Sequence, residues 1–370
     1  MIEALIHINI AQSLFTAVII FTKRPLNIID KILSGWLILV FLLFVWNLVR
    51  LHLSDYLINN WMFRAVVVMI FPSFLFLYIK YLTSGKNKFY TKDLWHFTVF
   101  GTFLIITLVL AIKYPVSADT TNFIRSFKVF PILFGSVFVL TFTIYGYHTI
   151  KLINQFNKGR DEYFSFHNGK LSIEWTRKLV YGFYVYFSIL IIVGIVIQFL
   201  KEPIDLSIFF TLCCTIFLYI ISFNGYRQTQ LPLIPKLEKV TSSSYKKSGL
   251  KEKDAKKYEK SILSLMEKEK PWLNPEIVVG DISTQLKIPQ HYITQILNER
   301  LKKNFYTLIN EYRTNEVIRL FQKKKYADWS LTSIAFEAGF NSKSCFNSFF
   351  KKHTGKTPSQ FKKEIISGHK

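Results

Sequence analysis

Long apolar stretches recur along the first 226 residues of the chain and predict its main structural elements. Seven of them run for roughly 18–23 residues, which lets an α-helix cross about 30 Å of hydrocarbon. They fall at about 4–22, 33–51, 62–82, 95–113, 129–150, 179–199 and 206–224. Buried helices of soluble proteins are usually shorter and seldom recur in this way. The pattern therefore predicts a bundle of seven transmembrane helices.

After residue 226 the long apolar runs stop and the pattern changes. Residues 227–257 contain two prolines, a serine run and dense charge, which is typical of a juxtamembrane linker. From about residue 258 apolar residues recur at helical spacing among charged ones. The sequence thus divides into a membrane part (1–226), a linker (227–257) and a helical tail (258–370), and the expected fold class is all-α.

Two stretches of the tail share one design of helix, tight turn and helix. They are "VVGDISTQLKIPQHYITQILNERL" (278–301) and "LTSIAFEAGFNSKSCFNSFFKKHTG" (331–355). Their apolar spacing predicts two small cores, formed by Ile282, Leu286, Ile293, Ile296 and Leu297 in the first unit and by Ile334, Ala335, Phe340, Phe346 and Phe350 in the second. Residues 305–324 between them have the spacing of a long connecting helix.

Single residues of the second unit mark where its helices begin and end. Gly339 occupies the tight turn, where a positive φ angle is easiest for glycine. Asn341 or Ser342 is expected to cap the following helix. In "TPSQ" (357–360), Thr357 is the expected cap, Pro358 the first helical residue, and Gln360 completes a capping box.

Positive charge is unevenly distributed and predicts an orientation. Of the formal net charge of +23, residues 1–226 carry +9 and residues 227–370 carry +14. If the N-terminus lies outside, the inside loops hold thirteen basic residues and the outside positions hold six. The positive-inside rule then places the N-terminus outside and, after seven crossings, the tail in the cytoplasm.

Two helix-turn-helix units joined by a rigid helix have the geometry of a DNA reader. Each second helix can enter a major groove, and the connector can hold the two about one duplex turn, roughly 34 Å, apart. The net charge of +14 on the tail supplies attraction to phosphates. Double-stranded DNA is therefore the expected partner.

At this point the residues resemble a known family. Residues 258–366 are similar to the AraC-type DNA-binding domain of bacterial transcription regulators, and "IAFEAGFNSKSCFNSFFKKHTGKTPSQFK" carries most of the likeness. The first unit departs from the family pattern, because Pro289 replaces a capping residue and Lys303 stands where glycine usually follows the recognition helix. Seven spans followed by this domain resemble membrane-bound AraC-type regulators, which implies a multi-pass protein of the bacterial inner membrane.

Position within the motif, and distance from the apolar stripes, indicate which side chains meet DNA. The expected base contacts are His291, Thr294, Gln295, Lys343, Ser344, Asn347 and Ser348. The expected phosphate contacts are Arg300, Lys302, Arg313, Lys351 and Lys352. The alternative for any one of them is a solvated side chain. Cys345 is expected to be a small buried residue.

Polar residues inside the apolar stretches suggest a second site. With the orientation above, six of them lie in the outer half of the membrane part: Asn9, Gln12, Asn47, Arg50, Arg64 and Gln198. One hypothesis is a shallow outward pocket for an anionic or polar signal. The alternative is snorkelling and solvation of helix ends.

The sequence shows little enzyme chemistry. Its three cysteines have neither zinc-site nor disulfide-framework spacing, and no nucleotide-binding loop occurs. The pair Asp161–Glu162 in the longest inside loop is interpreted as solvated charge. We expect no metal and no cofactor. The favoured function is a one-component transcription regulator that senses an unknown ligand or membrane partner. Two recognition helices on repeated DNA sites are compatible with a homodimer. The alternative is a transporter or membrane enzyme with a regulatory DNA-binding tail.

Overall fold

The computed structural model describes residues 1–52, 66–113, 129–166, 174–200, 207–228 and 249–368. The fold is all-α. These described residues form fourteen α-helices, and their only β-structure is an isolated bridge. The chain separates into two compact units. The first unit consists of Met1–Asn154 and Ile173–Leu233, and the second consists of Gln155–Ser172 and Ile234–Lys370. The second unit therefore includes Gln155–Ser172, which the sequence pattern places in the membrane part (1–226).

The first unit is built from seven apolar helices. They are α1 (Ile2–Phe21), α2 (Ile28–His52), α3 (Phe71–Ser84), α4 (Thr98–Lys113), α5 (Val129–Tyr163), α6 (Glu174–Leu200) and α7 (Ser207–Arg227), with a 3-10 helix at Thr91–Phe97 before α4. Within the described residues, seven helical segments are long and apolar enough to cross a membrane. Each of them overlaps one of the seven stretches predicted from hydropathy.

Many large apolar side chains of this unit face outward. The exposed ones include Phe15, Ile105, Leu140, Val185, Ile192 and Phe223. Water-soluble proteins rarely leave so many large apolar side chains uncovered over a set of long helices. This distribution is what contact with lipid acyl chains requires.

The fifth helix differs most from its prediction. The sequence predicts a span ending at about residue 150, whereas α5 continues to Tyr163. Residues 151–163 are mostly polar or charged, so hydropathy marks the end of the apolar part but not the end of the helix. The continuation carries the chain from the first unit into the second.

The second unit contains seven further helices. They are α8 (Glu252–Lys268), α9 (Val279–Leu286), α10 (Gln290–Glu299), α11 (Phe305–Phe321), α12 (Leu331–Glu337), α13 (Lys343–Thr354) and α14 (Pro358–Gly368). The pairs α9–α10 and α12–α13 are the two predicted helix-turn-helix units, and α11 connects them.

The connecting helix α11 contributes to two separate cores. Its N-terminal half packs Phe305, Leu308 and Ile309 into the core of the first pair. Its C-terminal half packs Val317 and nearby residues into the core of the second. The predicted core residues lie in these clusters, although Leu286 is only partly buried. Because one rigid helix belongs to both cores, it fixes the spacing of the two pairs.

Local backbone signals occur largely where the sequence placed them. Gly339 has φ +90°, and the side chain of Ser342 accepts a hydrogen bond from the backbone N–H of Cys345 at 3.2 Å. Thr357 and Gln360 form the expected capping box, since the Thr357 N–H donates to Gln360 Oε1 at 3.0 Å. Pro289 stands at the start of α10 without a side-chain cap.

The turn after α10 needs one correction. The residue with a left-handed conformation is Lys302 (φ 54°), whereas the sequence pointed to Lys303 as the position that usually holds glycine. Lys303 instead forms an ion pair with Glu311 at 2.5 Å. Lys302 thus adopts a conformation that favours glycine, at a cost of about 1 kcal/mol.

Candidate nucleic-acid interface

The second candidate recognition helix, α13, presents an open polar face. Lys343, Ser344, Asn347 and Ser348 are all exposed on it. The opposite face is buried in the core through Cys345, Phe346, Phe349 and Phe350. This division follows from helical spacing, because residues three and four apart share a face. All four predicted base contacts of this helix are therefore free to approach a groove.

Exposed lysines flank this face. Lys351 and Lys352 occupy the last turn of α13, and Lys302 lies in the turn after α10. A phosphate contact needs little geometry beyond an accessible positive charge. These three of the five predicted phosphate contacts are therefore accessible to DNA.

The first candidate recognition helix, α10, is covered over part of its predicted reading face. His291 is exposed, whereas Thr294 is 4% exposed and Gln295 is 6% exposed. Tyr163, at the end of α5, packs against the core of this pair beside Thr294, whose own hydroxyl donates to the His291 carbonyl at 3.1 Å. In this arrangement Thr294 and Gln295 cannot touch a base.

Residues 160–166, which we call the strap, pack against the first helix-turn-helix pair. Ser165 is its anchor and is fully buried. Its hydroxyl donates to the Ile277 carbonyl at 2.7 Å, and its own carbonyl accepts from Asn310 Nδ2 at 3.0 Å. Phe164 forms an isolated β-bridge with Val278 beside it. The strap is thus bound to the start of α9 and to the connecting helix.

Arg313 requires a correction. The sequence placed it at a phosphate, but its side chain is 0% exposed. Its guanidinium donates to the backbone carbonyls of Trp272 at 2.8 Å, Asn274 at 2.7 Å and Ser165 at 3.2 Å. Burial lowers the pKa of Arg313 to about 10, so it remains charged at neutral pH. Here Arg313 is a structural residue that ties together segments distant in the chain.

Arg300, another predicted phosphate contact, is already paired with carboxylates of the same domain. Its guanidinium forms ion pairs with Glu259 at 2.5 Å and Glu252 at 2.6 Å, both from α8. These hydrogen bonds raise the pKa of Arg300. A DNA phosphate at this position would have to compete with two carboxylates.

Cys345 packs in the core between α13 and the connecting helix. It is buried, and its sulfur lies 3.3 Å from the Tyr306 hydroxyl. Burial raises the pKa of the thiol, which keeps it protonated and unreactive. This agrees with the prediction of a small buried residue.

The predicted signal pocket is only partly within the described residues. Asn9 and Gln12 both face α7, where Asn9 Nδ2 donates to the Thr211 carbonyl at 3.2 Å and Gln12 Nε2 to Ser222 Oγ at 2.8 Å. Asn47 donates to the Leu43 carbonyl of its own helix at 2.9 Å. Arg64 and the side chains of Arg50 and Gln198 lie outside the described residues, so the pocket stays a prediction.

Sequence reasoning missed the strap and its binding partners. Asp161–Glu162 was interpreted as solvated charge, but Glu162 is buried. The signals were weak: a serine between two phenylalanines in "YFSFHNG" (163–169), and Asn310 among the apolar positions of the connecting helix. Across the described part of the chain, no group of three or more His, Cys, Asp or Glu side chains is arranged to hold a metal ion.

Comparison with known proteins bears on the tail. Residues 282–364 match a family model described as "Helix-turn-helix domain". This match supports a DNA-binding regulator of the AraC type. A solved structure of a protein of unknown function from Listeria innocua is 27% identical, with an alignment covering 28% of this chain and 93% of that chain and a TM-score of 0.25. That TM-score supports no argument about fold. No curated protein matches the chain.

Proposed function

We propose that the chain is a one-component transcription regulator embedded in the bacterial inner membrane. The seven apolar helices hold it in the bilayer and sense a signal, and the tail binds promoter DNA through two recognition helices in the major groove. The observation that carries this proposal is the open polar face of α13 within a matched helix-turn-helix domain, on a chain with seven helices of spanning length. No phosphate relay is needed, because sensor and reader share one polypeptide.

The organisation of the second unit supports a cytoplasmic tail. The strap follows the fifth apolar helix, and the tail follows the seventh. Two crossings separate them, so both must lie on one side of a membrane, as their packing into one compact unit requires. The thirteen-to-six excess of basic residues in the loops of that side supports a cytoplasmic location for it.

Two further features of the regulator belong to the proposal. The polar residues of the outer half, among them Asn9 and Gln12, are the candidate contacts for the signal. A homodimer would double the number of recognition helices and suit operators with repeated half-sites.

Chromatin immunoprecipitation with sequencing tests DNA recognition by the full-length chain in its native membrane. We expect discrete peaks upstream of a small set of genes, with a shared motif whose two parts lie about one duplex turn apart. A chain ending at residue 226, which keeps the apolar helices but not the reader, is the control and should give no peaks. Equal enrichment of the two chains would contradict sequence-specific binding.

Reporter fusions test the orientation. A reporter active only in the cytoplasm, fused after Lys370, should be active, and the same reporter fused before Met1 should be silent. A reporter active only in the periplasm should give the reverse pattern. A fusion after Lys370 that is active only in the periplasm would overturn the membrane topology and, with it, access of the tail to DNA.

A further inference from the structure

We propose that the strap is an intramolecular cover that competes with DNA for the first recognition helix. When the strap is bound, α10 cannot read a base through Thr294 or Gln295, and DNA binding requires its release. This inference rests on the proposed function, because it assigns the regulation of the same reading surface. Four observations carry it.

The first observation is a built binding site for the strap. Ser165 inserts between the start of α9 and the connecting helix and is 0% exposed. Its carbonyl accepts from both Asn310 and Arg313, and its hydroxyl lies 3.3 Å from Arg313 Nη2. A serine held by a buried guanidinium, an amide and the Ile277 carbonyl is recognised specifically, unlike a loop that only rests on a surface.

The second observation is that the covered residues belong to the reading face. Tyr163 packs against the core of the first helix-turn-helix pair and lies beside Thr294. Residues 291, 294 and 295 share one face of α10, yet only His291 remains exposed. Two of the three predicted base contacts of this helix are therefore buried, and the strap residue Tyr163 lies beside one of them.

The third observation is the charge of the strap. The strap holds one basic residue, Arg160, and two acidic ones, Asp161 and Glu162, so its net charge of −1 is opposite in sign to the +14 of the tail. Asp161 pairs with Arg160 at 3.2 Å, and Glu162 is buried. Asp161 lies on the side of the strap nearest Tyr306 and Cys345, which both belong to the core of the second pair. Carboxylates here repel DNA phosphates while the strap is bound.

The fourth observation is an unsatisfied polar atom on the buried part of the reading face. Gln295 Nε2 donates to Glu299 at 2.9 Å, but Gln295 Oε1 is buried and has no hydrogen-bond partner among the described residues. Leaving such an acceptor unpaired costs about 1–3 kcal/mol. After release of the strap, Gln295 Oε1 can accept a hydrogen bond from water or from a base of bound DNA. The strap-bound state is therefore destabilised relative to the released state at the position that DNA would occupy.

The helix that carries the strap connects it to the apolar part of the chain. α5 runs without a break from Val129 to Tyr163, and the strap begins within its last turn. A shift or rotation of α5 along its axis is therefore transmitted to Tyr163 and Ser165. A signal that moves α5 changes the fraction of chains with a free α10, and the apparent DNA affinity changes by the same factor.

The decisive test compares two variants of the full-length chain in nanodiscs. Ser165→Arg places a second cation beside the buried Arg313 and should expel the strap. Gln155→Arg adds the same charge to an exposed position of α5 and is the matched control. With the operator found by immunoprecipitation, we expect Ser165→Arg to bind about 10–100-fold more tightly than Gln155→Arg, the range typical of a coupled release.

Equal DNA affinity of these two variants would overturn the strap as a competitor. If Ser165→Arg does not accumulate as a folded chain, Tyr163→Ala replaces it, because it removes the contact with Thr294 and leaves the Ser165 anchor in place. A several-fold gain in affinity is then expected, and no gain counts against the inference.

Thiol labelling measures the cover without DNA. In a chain whose Cys213, Cys214 and Cys345 are replaced by alanine, Gln295→Cys should react slowly with a maleimide, and adding Ser165→Arg should accelerate the reaction at least ten-fold. His291→Cys, at an exposed position of the same helix, should react equally fast in both backgrounds.

The two readouts separate failure of the inference from failure of the proposed function. Slow labelling of Gln295→Cys in the Ser165→Arg background would overturn the strap whatever the DNA result. Accelerated labelling with no DNA binding by any variant would uphold the strap as a cover and reject the proposed DNA-binding function.

Discussion

Replacing Lys343 and Asn347 together by alanine is expected to reduce the affinity of the full-length protein for its operator by about 100–1000-fold. Both side chains project from the open face of α13. A well-placed contact with a base edge contributes about 1–3 kcal/mol, so two of them contribute roughly 3–4 kcal/mol, given that the effects of neighbouring residues are not additive. The folded state should be unaffected, because neither side chain belongs to the core.

The loss should be specific to sequence as well as large. Competition with unrelated DNA should show a much smaller change, since phosphate contacts remain and supply the non-specific affinity. Lys268→Ala on α8 removes the same charge from an exposed position and is the control. A double variant that bound operator and unrelated DNA with equally reduced affinity would show that this face contacts only the backbone.

The two recognition helices should also respond differently to substitution. Thr294 and Gln295 are buried, whereas the polar face of α13 is open. Alanine at Thr294 and Gln295 should therefore matter most in a background where the strap is released. The effect of substitutions in α10 should thus depend on whether the strap is bound, whereas the effect of substitutions in α13 should not.

Gly339→Ala is expected to unfold the helix-turn-helix unit that contains α12 and α13. Gly339 has φ +90°, and a Cβ atom there would lie 2.5 Å from the Trp272 carbonyl oxygen and 2.9 Å from the Leu273 Cα. Both are backbone atoms and cannot rotate away. Strain and overlap together should cost more than about 3 kcal/mol, a large part of the 5–15 kcal/mol that stabilises a typical domain.

Gly355→Ala provides a matched control for this substitution. Gly355 also has a left-handed backbone, with φ +77°, but a Cβ atom there would meet nothing within 4 Å. Only the conformational cost of about 1 kcal/mol then applies. Urea titration with limited proteolysis of the tail in the full-length chain should show a much earlier transition for Gly339→Ala. Similar midpoints would mean that the turn does not pack against Trp272 and Leu273.

The cores, turns and caps of the two helix-turn-helix pairs could be predicted from the sequence, whereas the role of Arg313 could not. The apolar stripes of the two helix-turn-helix pairs predicted their cores, and Gly339, Ser342 and Gln360 mark turns and caps in the structure. Arg313 shows the limit of sequence reasoning. A positively charged side chain on a connecting helix suggests a contact with a DNA phosphate. The Arg313 guanidinium instead donates its hydrogen bonds to the carbonyls of Trp272, Asn274 and Ser165.

The sequence by itself determined the features that depend on neighbours within one helix or turn. These are the seven apolar helices, the two helix-turn-helix pairs and the polar face of α13, because burial, capping and positive φ angles act over a few residues. Only the tertiary structure decided that Ser165 packs between the start of α9 and the connecting helix and that Tyr163 packs against the first pair. Ser165 and Arg313 lie 148 residues apart, and local patterns cannot encode which distant polar groups will satisfy each other's hydrogen bonds.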